Sequence, residues 1–110
     1  MRKLQKQIAD WQRKTFGKNT AHISGMTKHL LKEVIEIREA TLDIDTQSKN
    51  PIEYVEKIQN ELADVIILTA GLADAYGIDL EDAVKDKMNV NKKRKWKQPD
   101  QDGVIEHEDE

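Results

Sequence analysis

The stretch from Pro51 to Gly77 constrains this chain more than any other part of it. Val55, Ile58, Leu62, Val65, Ile66, Thr69, Ala73 and Tyr76 recur three and four residues apart and share one broad helical face. Asn50-Pro51 supplies a capping side chain followed by proline at the first helical position, and Gly77 supplies the stop. No residue from Val65 to Ala73 is charged. A helix that is apolar nearly all round belongs in a core, so the second half of this long helix is expected to be deeply buried.

The remaining segments read as helices too, and the fold class is all-α with four main helices. Leu4, Ile8 and Trp11 mark a first helix over about Lys3 to Lys14, with Phe16 to Thr20 as its exit and loop. Ser24 is placed to cap a second helix that runs to about Leu42, with Asp43 to Asn50 as a polar loop. Met26, Leu30, Val34 and Ile37 line one face of this helix, and Leu31 with Ile35 form a second apolar patch, which predicts cover on two sides. Asp79 and Asp82 resemble a capping box ahead of a fourth helix lined by Leu80, Val84 and Met88, reaching about Lys95. Strand patterns, repeats and internal boundaries are not seen. Residues 1–97 form one domain, and residues 98–110 are an acidic tail expected to be loose or laid over the body. A chain of 110 residues buries only about two-thirds of its unfolded surface, so self-association is the natural remedy for so small a core.

Composition removes several function classes. The absence of cysteine excludes disulfides and thiolate metal sites and fits a cytoplasmic location. No apolar run approaches the ~20 residues needed to span a bilayer, and Met1 to Lys6 lacks the apolar stretch of a signal peptide. All Lys and Arg residues lie at or before Lys97, whereas Asp100, Asp102, Glu106, Glu108, Asp109 and Glu110 follow it. The body is therefore mildly basic despite a net charge of -3, a weak pointer to an anionic ligand.

Two carboxylate pairs carry the chemistry. Glu33 and Glu36 stand three apart on the second helix, and Glu61 and Asp64 stand three apart on the third, so each pair occupies one helix face. Glu33 lies about ten residues before the intervening loop and Glu61 about ten residues after Pro51, which puts both roughly 15 Å from the loop end of an antiparallel pair. Asp64 is followed by Val65-Ile66-Ile67-Leu68, an odd setting for a solvated acid. Asp and Glu account for 21 of 110 residues, so such pairs also arise on solvated faces. Convergence in register and the apolar setting favour a site for a hard dication, Mg²⁺ with Mn²⁺ as substitute, because all the ligand atoms are oxygen. A di-iron bundle would need Glu-x-x-His, and Glu36 and Asp64 stand where its histidines belong.

A second cluster follows an i, i+4, i+7 path on the fourth helix: Lys87, Asn91 and Arg94. Cations and an amide suit phosphate oxygens, although cations near a helix C-terminus also simply favour the dipole. The run Lys92-Lys93-Arg94-Lys95-Trp96-Lys97 is short and stands alone, so nucleic acid is not an expected partner, and neither is a membrane.

Taken together, Leu30-Leu31-Lys32-Glu33-Val34-Ile35-Glu36, Glu61-Leu62-Ala63-Asp64-Val65 and Lys87-Met88-Asn89-Val90-Asn91-Lys92-Lys93-Arg94-Lys95-Trp96 resemble the MazG-like all-α NTP pyrophosphohydrolase superfamily. The single-domain dATP/dGTP diphosphohydrolase-type branch of phages and bacteria is the nearer match. It shares Trp11 with Phe16-Gly17, the lead-in His29-Leu30-Leu31-Lys32-Glu33, and a tail like Trp96, Pro99-Asp100, Asp102-Gly103 and His107. The resemblance implies a helical bundle completed by oligomerisation, as a homodimer or larger. It implies Mg²⁺ on Glu33, Glu36, Glu61 and Asp64, and hydrolysis of a nucleoside triphosphate to monophosphate and pyrophosphate. Glu36 would orient the attacking water, and Lys87, Asn91 and Arg94 would hold phosphates. Trp11, Phe16 and His29 are candidates for contact with the base, although Trp11 on its apolar stripe also reads as core packing. One position departs from the family: Lys32 stands where many members have a Glu before the first motif acid. A phosphoribosyl-ATP pyrophosphohydrolase and a non-catalytic helical interaction module are the rival readings.

Overall fold

The computed structural model describes residues 1–17, 23–46 and 51–108. Four helices follow in order: α1 (Arg2–Phe16), α2 (Ile23–Thr46), α3 (Pro51–Ala75) and α4 (Leu80–Lys93). They fall into two units, residues 1–80 and residues 81–110.

In the first unit α3 is the central element, packing against α2 on one side and α1 on another. Its core is made largely of small side chains: Ala9, Ala40, Ala70 and Ala73 are buried, with Ile8 and Tyr54. Small residues let helix axes approach closely, and Gly71 shows how far this goes. A Cβ at Gly71 would run into the Gln12 side chain of α1, whose amide reaches the Ile67 carbonyl at 3.4 Å. A mid-helix glycine costs roughly 0.5–1 kcal/mol relative to alanine; here it leaves room for the end of the Gln12 side chain, which would have to swing aside for a larger residue.

The end of α3 is a Schellman motif. The Gly77 amide donates to the Asp74 carbonyl at 3.0 Å and the Ile78 amide to the Ala73 carbonyl at 2.9 Å, with Gly77 at φ 66°. Gln5 of α1 clamps the segment that follows. Its amide nitrogen donates to the Ile78 carbonyl and its amide oxygen accepts from the Leu80 N–H, each at 2.8 Å. Gln5 is itself buried, so both partners are needed to satisfy it.

In the second unit α4 ends at Lys93, and residues beyond it return on themselves. Lys97 donates to the Glu106 carbonyl and Glu108 to the Lys95 carbonyl, both at 2.8 Å, around an isolated antiparallel bridge between Trp96 and His107. Asp100 shapes the tip, its Oδ1 accepting from the Asp102 and Val104 amides at 2.9 Å. The Trp96 and His107 rings meet edge to face at 6.0 Å. Up to Glu108 the acidic tail is thus a hydrogen-bonded hairpin rather than a loose strand.

Several sequence expectations need correction. Ser24 does not precede α2; it lies within the first turn, where its carbonyl accepts from the Thr27 hydroxyl at 3.0 Å. α2 continues through the polar residues Asp43 to Thr46, and the rest of the expected loop, with the Asn50 cap, lies outside the described residues. Phe16 closes α1 rather than opening a loop, and residues 18–20 of that loop also lie outside the described residues. Trp11 is 53% exposed, so within one chain it is not core. The uncharged half of α3 is only partly covered, with Ile66 exposed, and α4 buries no residue at all.

Candidate metal centre

α2 and α3 bring the acidic motifs together. The short link between them and their extensive contact set Glu33 beside Glu61 and Asp64, with one carboxylate oxygen from each lying within 4.8 Å of the others. Burial is graded: Glu33 is only 8% exposed, Glu61 is half-buried and Asp64 is exposed. Glu36, one turn beyond Glu33, is half-buried and within hydrogen-bonding reach of the Glu61 carboxyl.

The electrostatics of this cluster are unresolved by the protein itself. Oε2 of Glu33 and Oε2 of Glu61 are buried, and neither has a hydrogen-bond partner among the described residues. Two facing carboxylates can only accept, so in the ionised state neither satisfies the other. Such crowding favours the protonated form of a carboxyl. Accordingly the Glu61 carboxyl is held above the ordinary glutamate range, chiefly by its hydrogen bond to Glu33 and next by desolvation; contact with Glu36 opposes the shift, and the charges of Glu33 and Asp64 add to it. A hard dication would relieve the same conflict at neutral pH. Three converging oxygens with no nitrogen or sulfur ligand fit Mg²⁺ or Mn²⁺ by donor chemistry.

The other sequence candidates are placed as follows. His29, one turn ahead of Glu33, sets its Nε2 at 3.2 Å from Glu33 Oε1. Trp11 and Phe16 meet edge to face at 5.6 Å, and both rings are largely exposed. Lys87, Asn91 and Arg94 lie on α4 and the residues just beyond it, in the second unit. There the Asn91 carbonyl accepts from the Trp96 indole at 3.1 Å and from the Arg94 amide at 3.3 Å. The Asn91 side-chain oxygen is buried with no partner among the described residues, an open acceptor beside two cationic residues.

A family model for dATP/dGTP pyrophosphohydrolases matches residues 4–109. The chain belongs to that family. Within reach of this family lies a dATP/dGTP diphosphohydrolase of Salmonella phage PMBT28, 30% identical over 104 residues, which is 94% of this chain and 30% of the phage protein. A dATP/dGTP diphosphohydrolase of Cyanophage S-2L is 38% identical over 47 residues, 43% of this chain and 44% of that protein. The chain thus spans less than half the length of the curated relatives it matches. The fold is MazG-like: the solved Cyanophage S-2L MazG-like pyrophosphohydrolase, bound to dGDP and three catalytic Mn²⁺ ions per active site, superposes with a TM-score of 0.65 at 27% identity, over 98% of this chain and 92% of that one.

One feature of the site was not read from the pattern of acids: the contact from His29 to Glu33, which their i, i+4 spacing would have allowed.

Proposed function

We propose that this chain hydrolyses nucleoside or deoxynucleoside triphosphates to the monophosphate and pyrophosphate, with Mg²⁺ as its metal and Mn²⁺ as a substitute. The observation that carries this reading is the meeting of Glu33, Glu61 and Asp64 with two buried oxygens that lack any donor. Glu33, Glu61 and Asp64, joined by Glu36, would hold the metal. When bound, the metal supplies charge neutralisation for phosphate oxygens and acidifies water.

The chain's own groups do the rest. Glu36, at the edge of the cluster, orients the attacking water and takes its proton. A bond forms between the water oxygen and the α-phosphorus while the bond from that phosphorus to the β-bridging oxygen breaks, and pyrophosphate leaves. Lys87 and Arg94, which a neighbouring subunit could supply, neutralise the β- and γ-phosphates, with the Asn91 amide N–H donating to phosphate or its oxygen accepting from a sugar hydroxyl. Trp11 and Phe16 offer an exposed aromatic pair to the base. The names of the relatives put dATP and dGTP first among substrates to assay.

We also propose a homodimer or larger assembly. Leu31 (61% exposed), Ile35 and Ile66 leave apolar surface on α2 and α3 that one chain does not cover. Sedimentation showing a compact monomer at micromolar concentration would overturn this. Among the described residues no helix is long and apolar enough to cross a membrane. A cytoplasmic site of action is proposed on the substrate alone, since triphosphates and Mg²⁺ occur together there. Hydrolysis in ¹⁸O-water tests the chemistry: the label is expected in the monophosphate. Label in orthophosphate with accumulating diphosphate would mean attack at a different phosphorus.

A further inference from the structure

Glu33 is the most buried acid of the cluster, and its two oxygens are treated differently. Oε1 lies 3.2 Å from His29 Nε2, whereas Oε2 is buried with no partner among the described residues. A glutamate carboxyl turns easily about its last torsion, which is a broad, two-fold rotor. A carboxylate free to turn presents its oxygens to a cation in many orientations. A contact on one oxygen stops that rotation and leaves the other aimed inward. Because a carboxylate only accepts, the ring must donate from Nε2, so the hydrogen bond also selects the imidazole form that carries a proton there.

The spacing supports the same role. His29 and Glu33 are four residues apart on α2, so the contact is made within one rigid element and does not depend on the link outside the described residues. The His29 ring is 57% exposed while Glu33 is 8% exposed, so an open ring holds a largely buried carboxyl.

We propose that His29 is a positioning residue for the metal site: it holds Oε1 of Glu33 so that the second oxygen is presented to the cation. This replaces a base-contact role for His29 and rests on the metal reading of Glu33, Glu61 and Asp64. Partners of this kind typically contribute 10- to 100-fold to metal affinity.

The test is a Mn²⁺ titration of the full chain without nucleotide, with free Mn²⁺ followed by electron paramagnetic resonance and helix content by circular dichroism. His29→Ala is expected to weaken Mn²⁺ binding by about 10- to 100-fold, with helix content unchanged. His29→Gln, which carries an N–H donor at similar reach, is expected to recover most of the loss. The ratio of kcat/KM for dATP to that for dGTP is expected to stay as in the wild type in both variants. Wild-type Mn²⁺ affinity in His29→Ala would overturn the proposal, as would a Gln variant no better than Ala, or a changed base ratio with intact metal binding. Glu33→Gln separates this from the metal reading: if it binds Mn²⁺ like the wild type, the metal centre itself is misplaced, whereas loss in Glu33→Gln with full binding in His29→Ala overturns only the role of His29.

Discussion

α3 and its C-terminal extension meet α1 and α2 with acids on both sides, and the two sides are handled in opposite ways. Toward α1, each acid has a cation. Arg13 Nη2 lies 2.6 Å from Asp74 Oδ1, and Arg2 Nε lies 2.7 Å from Asp79 Oδ2. Toward α2, Glu33, Glu61 and Asp64 converge, and among the described residues no Lys or Arg pairs with them. Like charges held this close repel one another, so the α2 side carries a repulsion that the α1 side has cancelled. Acids that are neutralised in place hold helices together. Acids that converge without counter-charge, with Glu33 buried among them, store a need for a cation, and the chemistry belongs there.

The largest effect should come from breaking the unneutralised side. Glu33→Gln or Asp64→Asn is expected to lower turnover by more than about 100-fold, beyond what loss of an outer partner of a ligand costs. The metal-free protein should meanwhile melt no lower than the wild type, because one repelling charge is gone. A triphosphate assay beside a thermal melt in chelator checks both, and a variant with near-wild-type turnover would collapse the distinction between the two sides. Next in size is the polar clamp on the α1 side. Gln5→Ala strips partners from the Ile78 carbonyl and the Leu80 N–H and should cost about 1–3 kcal/mol in urea unfolding. It should leave Mn²⁺ affinity unchanged.

The acid side was legible in the sequence because two strong signals agreed there. The i, i+3 pairs Glu33/Glu36 and Glu61/Asp64 and the helix starts placed them in register, and the structure brings three of the four within ligand distance of one another. The α1 side was not legible. Gln5, Gln12 and Arg13 look like the solvated face of an amphipathic helix, and nothing local to them says that Ile78, Gly71 or Asp74 lies opposite. Helix ends were the least legible part: the run after Leu42 reads as a loop, yet α2 continues to Thr46. Trp11 and the uncharged half of α3 read as core by periodicity, which marks what is apolar but not which chain covers it. The tail was left open by the sequence, as either loose or laid over the body. Its composition is that of a disordered segment, and its order comes from the Asp100 turn and the Trp96–His107 contact, which composition does not register.

A third prediction sharpens the contrast through pH. The Glu61 carboxyl is raised in the folded state, so metal-free folded protein binds more protons than unfolded protein just above the ordinary glutamate range. Its contribution to stability is therefore fully present below the unfolded value and is lost as pH rises through the raised folded value. In chelator, the melting temperature of the wild type should fall over that window relative to Glu61→Gln, which does not titrate. Saturating Mg²⁺ should reverse the difference near neutral pH, because cation and proton compete for the same oxygens. Parallel melting curves for the two proteins in chelator across the window would show that the cluster does not raise the Glu61 carboxyl.

The smallest effect is expected on the neutralised side, and it is the sharper control. Arg13 reaches both Asp10 (3.2 Å) and Asp74 (2.6 Å), while Asp10 also takes a hydrogen bond from Lys6 at 2.7 Å. That lysine contact is the main cause holding the Asp10 carboxyl below its ordinary range, so Arg13 is a secondary partner there. The side chains of Arg13 and Asp74 are 48% and 31% exposed, and pairs open to solvent contribute about 0–1 kcal/mol. Arg13→Ala should therefore cost under about 1 kcal/mol in urea unfolding, and less in high salt. It should leave Mn²⁺ affinity untouched, since Arg13 pairs with Asp10 of its own helix and Asp74 of α3 and with none of the cluster acids. If Arg13→Ala instead changed Mn²⁺ affinity as much as His29→Ala does, the two sides of α3 would be one coupled network, and the division between holding acids and binding acids would have to be withdrawn.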